Sequence, residues 1–310
     1  MPVLVVALAL AAELSLQPPL GLDAFVPIPE SNPLTPEKAA LGRELFFDKR
    51  LSRDQTVACA TCHDPQQAFT DRRPVAVGVF DRQGKRRVPT IVNRGYGRAF
   101  FWDGRVATLE EQVLKPITAL DEMDLTLDEA AARVGLTQER LAQALASYVR
   151  TILAGGSRYD KYVAGDREAL APVERQGLQL FRGKGNCTSC HLGPNLSDEK
   201  FHNTGVAWRD GRWLDLGRYE VTKREPDRGA FKTPTLRQVA SRAPYMHDGS
   251  LAKLEDVVEF YDGGGRQNPN LDREIHRLEL TGEEKRALVA FLGALSGEVR
   301  EGLPNAERRP

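Results

Sequence analysis

The four cysteines of this 310-residue chain fall in two runs of one pattern, Cys59-Ala60-Thr61-Cys62-His63 and Cys187-Thr188-Ser189-Cys190-His191. CxxCH suits a covalently held porphyrin. Two thiols one helical turn apart can form thioethers with the two vinyl groups of one ring, while the adjoining imidazole reaches the iron. A redox dithiol, a disulfide pair or four thiolates around zinc would account for the cysteines but not for the histidines. A zinc ribbon also wants its second pair roughly 15 to 20 residues after the first, whereas Cys62 and Cys187 lie 125 apart. With only five histidines in the chain, two following CxxC by accident is improbable. The pattern predicts two c-type haems, attached through Cys59, Cys62, Cys187 and Cys190, with His63 and His191 as iron ligands.

A repeat frames each motif. Gly42-Arg43-Glu44-Leu45-Phe46 precedes the first and Gly177-Leu178-Gln179-Leu180-Phe181 the second. Thr35-Pro36 and Pro172 are suitable helix starts. The Gly permits close approach of another helix, and the Phe can cover a porphyrin edge. After each motif comes a small-Leu-x-x-aromatic helix, Ala144 to Tyr148 and Ala287 to Phe291, the latter opened by a Thr281–Glu284 capping box and striped by Leu288, Phe291, Leu292 and Leu295. The expected fold is mainly α, with two tandem class I cytochrome c-like domains each binding one covalent haem. Their expected bounds are 21–165 and 166–297, with Gly155-Gly156 ending the first domain's late helix, a linker from Gly165 to Ala171, and a C-terminal tail at 298–310.

Composition narrows the function. A 41% hydrophobic and 28% charged chain is ordinary globular material. Forty-three basic against 43 acidic residues give no net charge, which argues against a nucleic-acid partner. Lys85-Arg86-Arg87, the densest basic run, reads as a solvated loop. Val3 to Ala12 is too short for a transmembrane anchor, which needs about 20 residues. It resembles the apolar core of a secretory signal, although no Lys or Arg precedes it. Residues 1–20 are therefore expected to be an export segment and the protein periplasmic, a compartment that covalent haem attachment also favours.

The sixth iron ligand decides what a dihaem protein does, since Met or His there blocks the iron and an open position admits peroxide. Beyond the initiator only Met123 and Met246 remain, and beyond the two proximal residues only His202, His247 and His276. Ligands are scarce enough to expect an open iron. From the residues alone, Gln112 reads equally as helix surface after a Thr108–Glu111 capping box, Glu122 as one acid of the turn Asp121 to Asp124, and Trp102 as core.

The segments Leu41 to Asp48, Phe101-Trp102-Asp103-Gly104-Arg105, Glu122-Met123 and Ala243 to Ser250, together with the paired CxxCH, give a resemblance. From about Leu41 to Gly297 the chain resembles the bacterial dihaem cytochrome c peroxidase family, which includes MauG. The resemblance implies that the N-terminal haem is peroxidatic, in a pocket of Gln112, Pro116 and Glu122. Glu122 would move a proton between the peroxide oxygens, as a partly desolvated carboxylate can near neutral pH. Gln112 would position the peroxide, and Trp102 would relay electrons between the haems. At the second iron the family's peroxidases place a Met fourteen residues after His247; here that position is Tyr261, as in MauG, with Met246 the rival ligand. The His that caps the first iron in many of the peroxidases falls on Val79, which cannot ligate. The family's calcium-binding Asn falls on Arg87, and the partner carbonyls on Arg242 and Pro244. Calcium is therefore not expected, and the guanidinium stands as a fixed cation.

The resulting expectation is a dihaem peroxidase that reduces hydrogen peroxide with electrons from a small cytochrome c or cupredoxin and admits a homodimer. The alternatives are oxidation of aromatic residues in a partner protein, as MauG performs, and a non-enzymatic electron-transfer cytochrome.

Overall fold

The computed structural model describes residues 13–303, so the apolar run Val3 to Ala12 lies outside the described residues. The remainder of the expected export segment packs on the body. Leu14 is buried, and its N–H donates to the Leu34 carbonyl at 2.9 Å.

The first half is helical for reasons visible at each helix start. Thr35 holds an extended conformation and its hydroxyl accepts from the Lys38 N–H. Helix α1 (Pro36–Phe46) therefore begins at a proline whose missing donor costs nothing there. The first CxxC forms a single turn, α2 (Cys59–Cys62). Helices α3 (Leu109–Gln112), α4 (Lys115–Thr118), α5 (Leu127–Val134) and α6 (Gln138–Thr151) follow. At α3 the Thr108 hydroxyl accepts from the Glu111 N–H at 3.2 Å, half of the expected capping box. The neighbouring Glu110, rather than Glu111, turns inward to Arg150 and Asn32, each at 2.7 Å.

Helix α6 ends at Thr151, and the chain continues as strand β1 (Ile152–Gly155). The Gly155-Gly156 pair therefore closes a strand, correcting the expectation that it ends a helix. A short helix, α7 (Arg158–Val163), carries the chain into the second half. There α8 (Pro172–Arg182) leads to the second CxxCH. Between the motif and the late helices lie four two-residue strands and one short helix: β2 (Phe201–His202), β3 (Trp208–Arg209), β4 (Arg212–Trp213), α9 (Tyr219–Thr222) and β5 (Phe231–Lys232). Helices α10 (Leu254–Asp262) and α11 (Gly282–Gly293) complete the half, with the reciprocal Thr281–Glu284 cap formed. The chain then returns as β6 (Glu298–Glu301), antiparallel to β1, because the alternating exposure of Glu298 to Glu301 suits an edge strand beside a fully buried one. The segment expected as a tail at 298–310 therefore begins as a strand paired to the first half.

The two halves use one helix crossing. A Cβ on Gly42 would stand 1.9 Å from the Ala144 carbonyl oxygen and 2.8 Å from the Tyr148 Cβ. A Cβ on Gly177 would stand 2.0 Å from the Ala287 carbonyl oxygen and 2.7 Å from the Phe291 Cβ. Only glycine lets α1 reach α6 and α8 reach α11 this closely. The aromatics repeat as well, with ring centroids 5.0 Å apart for Phe46–Tyr148 and 5.2 Å for Phe181–Phe291. Each crossing lies inside its own apolar cluster, one around Leu45, Leu141 and Leu145 and the other around Leu178, Leu288 and Leu295.

Candidate active site

A single cavity of about 880 Å³ is lined by Cys62 and His63 of the first motif, by Cys187, Cys190 and His191 of the second, and by Trp102. Cys59 lines a smaller adjoining pocket with His63, Gln112, Pro116 and Glu122. All four cysteines are unpaired, and among the described residues no cluster of three or more His, Cys, Asp and Glu could hold a metal ion.

Both motif histidines are held alike. His63 Nδ1 lies 3.1 Å from the Phe69 carbonyl, and His191 Nδ1 lies 2.9 Å from the Leu196 carbonyl. The two carbonyls belong to non-glycine residues in the left-handed region, Phe69 at φ 55° and Leu196 at φ 51°. That strain is spent on aiming the carbonyls at the imidazoles. An Nδ1–H donated to a carbonyl leaves the Nε2 lone pair free for a metal. Burial pushes both imidazoles below their ordinary range, His191 to about 4, so they are neutral and able to ligate. These residues fit a porphyrin iron on each side of the molecule.

At the first motif, α3 ends on Gln112, α4 carries Pro116, and the following turn presents Glu122. The turn is pinned from outside, where the Val79 N–H donates to the Glu122 carbonyl at 2.8 Å. Val79 itself is fully buried in the first apolar cluster. Burial, assisted by Asp121 and opposed by Arg105, pushes the Glu122 carboxyl up to about 7. Arg105, absent from the expected site, lines the same cavity. Its guanidinium lies 3.6 Å from the Phe101 ring centre and 3.0 Å from the Asp103 carboxylate.

At the second motif, the cavity wall includes Tyr261 near the end of α10. Burial, then the nearby sulfurs of Cys190 and Cys187, push its phenol well above the usual range. Met246 also lines the cavity, held at φ 72°. Of the remaining histidines, His202 is locked between Asp272 at 2.6 Å and Asp198 at 2.9 Å. His247 stacks on Phe231, with ring centres 3.6 Å apart. The Trp102 indole meets His247 edge-on at 6.4 Å and donates through Nε1 to the Arg87 carbonyl at 2.8 Å.

In the basic run Lys85-Arg86-Arg87 the lysine is exposed as a solvated loop predicts, but the two arginines are not. Arg86 pairs with Asp103 at 2.5 Å and with both oxygens of Asp215 at 2.7 and 2.8 Å. Arg87 is 5% exposed. Its guanidinium donates to the Thr70 hydroxyl and to the carbonyls of Asp71, Val88, Arg242 and Ala243. Acceptors from both halves are close enough to surround this one cation, which is what keeps a buried charge tolerable. From the second half the acceptors are the Arg242 carbonyl at 3.0 Å and the Ala243 carbonyl at 3.4 Å.

Comparison with known proteins follows the same lines. Residues 36–168 match the profile of the di-haem cytochrome c peroxidase family. The chain is 39% identical over 291 residues to the methylamine utilization protein MauG of Methylorubrum extorquens, covering 88% of this chain and 82% of the relative. It belongs to the dihaem cytochrome c peroxidase and MauG family.

This dihaem peroxidase is also 35% identical over 294 residues to a cytochrome c551 peroxidase of Nitrosomonas europaea, covering 89% of this chain and 85% of that one. Among solved structures, a MauG-like protein associated with microbial copper homeostasis superimposes with a TM-score of 0.82 at 31% identity, covering 93% of this chain and 95% of that one. The diheme peroxidase BthA of Burkholderia thailandensis superimposes with a TM-score of 0.74 at 26% identity, covering 89% and 90%. Membership makes this chain an oxidoreductase acting on peroxide and implies two c-type haems. No helix among the described residues is long and apolar enough to cross a membrane.

Proposed function

We propose that this chain is an exported peroxidase built from two tandem cytochrome c-like domains. It reduces hydrogen peroxide at the haem attached through Cys59 and Cys62, and refills its electrons through the haem attached through Cys187 and Cys190. The observation that carries the reading is the single cavity joining His63, Glu122, Trp102, His191 and Tyr261. Bound there, a haem supplies an iron that takes peroxide and accepts electrons. The chain supplies the rest. Glu122 accepts the proton from one peroxide oxygen and returns it to the other, a transfer its raised pKa suits. Gln112 donates a hydrogen bond to the peroxide, and Pro116 narrows the pocket. Trp102 lies on the route between the two sites. Tyr261 would hold the iron of the haem at His191 together with that histidine, its phenol lying close enough to Cys190 and Cys187 to feel their charge, with Met246 the rival ligand.

A second reading, oxidation of an aromatic side chain in a partner protein, is favoured by Tyr261. A phenolate holds ferric iron at lower potential than a thioether, which suits storage of oxidising equivalents more than delivery of electrons. The readings differ in reductant: a small cytochrome or copper protein in the first, a protein substrate in the second. Electron paramagnetic resonance of the oxidised protein tests the shared step. It should contain one high-spin ferric haem beside one low-spin haem, and peroxide should remove the high-spin signal. Two low-spin haems untouched by peroxide would defeat both readings and leave an electron-transfer cytochrome. Steady-state oxidation of reduced cytochrome c and cupredoxin then separates the two enzymes.

A further inference from the structure

Four cations are buried along the wall of the shared cavity, namely Arg87, Arg94, Lys232 and Arg242. Among the described residues they share one bonded carboxylate, Glu199, which lies 2.7 Å from Arg94 and 3.5 Å from Lys232. Arg87 and Arg242 have no carboxylate partner. Asp71, whose charge Arg87 feels, is committed to Arg73 at 2.7 Å and offers Arg87 only its backbone carbonyl. Arg242 donates to the carbonyls of Gln238 and Thr235 and is close enough to His191 to lower that imidazole's pKa.

Two guanidinium ions beside each other in a buried wall repel, and carbonyl dipoles offset only part of the cost of desolvating them. Their own titration carries the mark of this. Burial, followed by the charge of Arg87, pushes Arg242 down to about 9. Asp103 and Asp215 of the cavity wall are committed to Arg86, so Arg87 and Arg242 lack an anion of their own, and the buried Arg87 Nε has no hydrogen-bond partner among the described residues. Each porphyrin carries two carboxylates, on the edge away from the vinyl groups that the cysteines consume.

We infer that Arg87 and Arg242, with Lys232, form the seat of the haem carboxylates and act as a fixed cationic bridge between the two haems. Arg87 suits the role because it is bonded to both halves and, through its carbonyl, to the Trp102 indole. A permanent positive charge here stabilises the reduced, less positive form of each haem and so raises its reduction potential. The inference rests on the two-haem reading above, but its test does not depend on peroxide turnover.

The experiment uses the full holoprotein. Arg87→Gln and Arg242→Gln are prepared, and mass spectrometry establishes that both haems are attached. Potentiometric titration should then give lower midpoint potentials, for both haems in Arg87→Gln and mainly for the second haem in Arg242→Gln. The propionate bending bands in the resonance Raman spectrum should move in the same variants. Arg87→Lys and Arg242→Lys keep the charge but lose the planar fork, so they should restore the potentials while still moving the bands. Unchanged potentials and bands in haem-loaded Gln variants would overturn the inference. If the Gln variants fail to load haem, the Lys variants decide: displaced bands support the seat and unmoved bands overturn it. A wild-type holoprotein inert towards peroxide would defeat the proposed function and leave this test intact.

Discussion

Glu122 is a carboxyl group whose surroundings set its job. Burial raises it to about 7 and Arg105 limits the rise. As the proton acceptor it must be ionised, and ionisation grows as pH climbs. Peroxide turnover should therefore increase as pH passes through about 7 in a stopped-flow series. Replacing Arg105 with Leu removes the one opposing cation and should shift that rise to higher pH. Glu122→Gln keeps the shape and loses the base, so turnover should fall on the order of 10²- to 10⁴-fold with both haems still attached. Unchanged turnover would exclude Glu122 from proton transfer. Tyr261→Phe should alter the absorption and paramagnetic spectra of the second haem alone; if they do not change, the ligand is Met246. The residue scale is also where sequence reading was least complete. CxxCH announces its chemistry because spacing alone encodes it. Nothing local announces that Arg86 is tied down and Arg87 buried, since their partners Asp215 and Arg242 lie over a hundred residues away in the chain. Arg105 ends the Phe101 to Arg105 segment, and its place two residues after Asp103 was the available signal.

At the scale of elements, the repeat was legible because a helix crossing leaves a fixed imprint. A glycine is required wherever a backbone carbonyl occupies the space of a Cβ, and Gly42 and Gly177 meet that demand with the same partners. Gly42→Ala and Gly177→Ala should each cost about 1–3 kcal/mol through overpacking. That amounts to a fall in melting temperature of roughly 2–4 °C per kcal/mol for domains of this size, measurable by calorimetry. Equal melting temperatures would mean the crossings relax freely. Caps at Thr35 and Thr281 were equally legible, since each involves residues three apart. The Gly155-Gly156 pair misled because a double glycine ends strands as readily as helices. What made the preceding residues a strand was a partner segment beginning at Glu298, invisible to any local window.

At the scale of the whole molecule, the cavity depends on contacts that cross the halves. Arg86 holds Asp215, Arg94 holds Glu199, and the Lys232 N–H donates to the Trp102 carbonyl at 2.8 Å. The β1–β6 ladder adds a tie at the end of the chain. A variant truncated after Gly297 should melt at lower temperature, and the amides of Ile152 to Gly155 should exchange faster with deuterium. Unchanged exchange there would make the ladder ornamental.

That ladder also has a temporal meaning. Gly155 is added to the growing chain 143 residues before its partner Glu298, an interval of roughly 7 to 30 seconds at typical synthesis rates of about 5–20 residues per second. Throughout that delay the early half has an exposed strand edge, a surface that invites wrong pairing. Completion of the first half waits on a segment that follows the second, so the two halves cannot mature independently, one after the other.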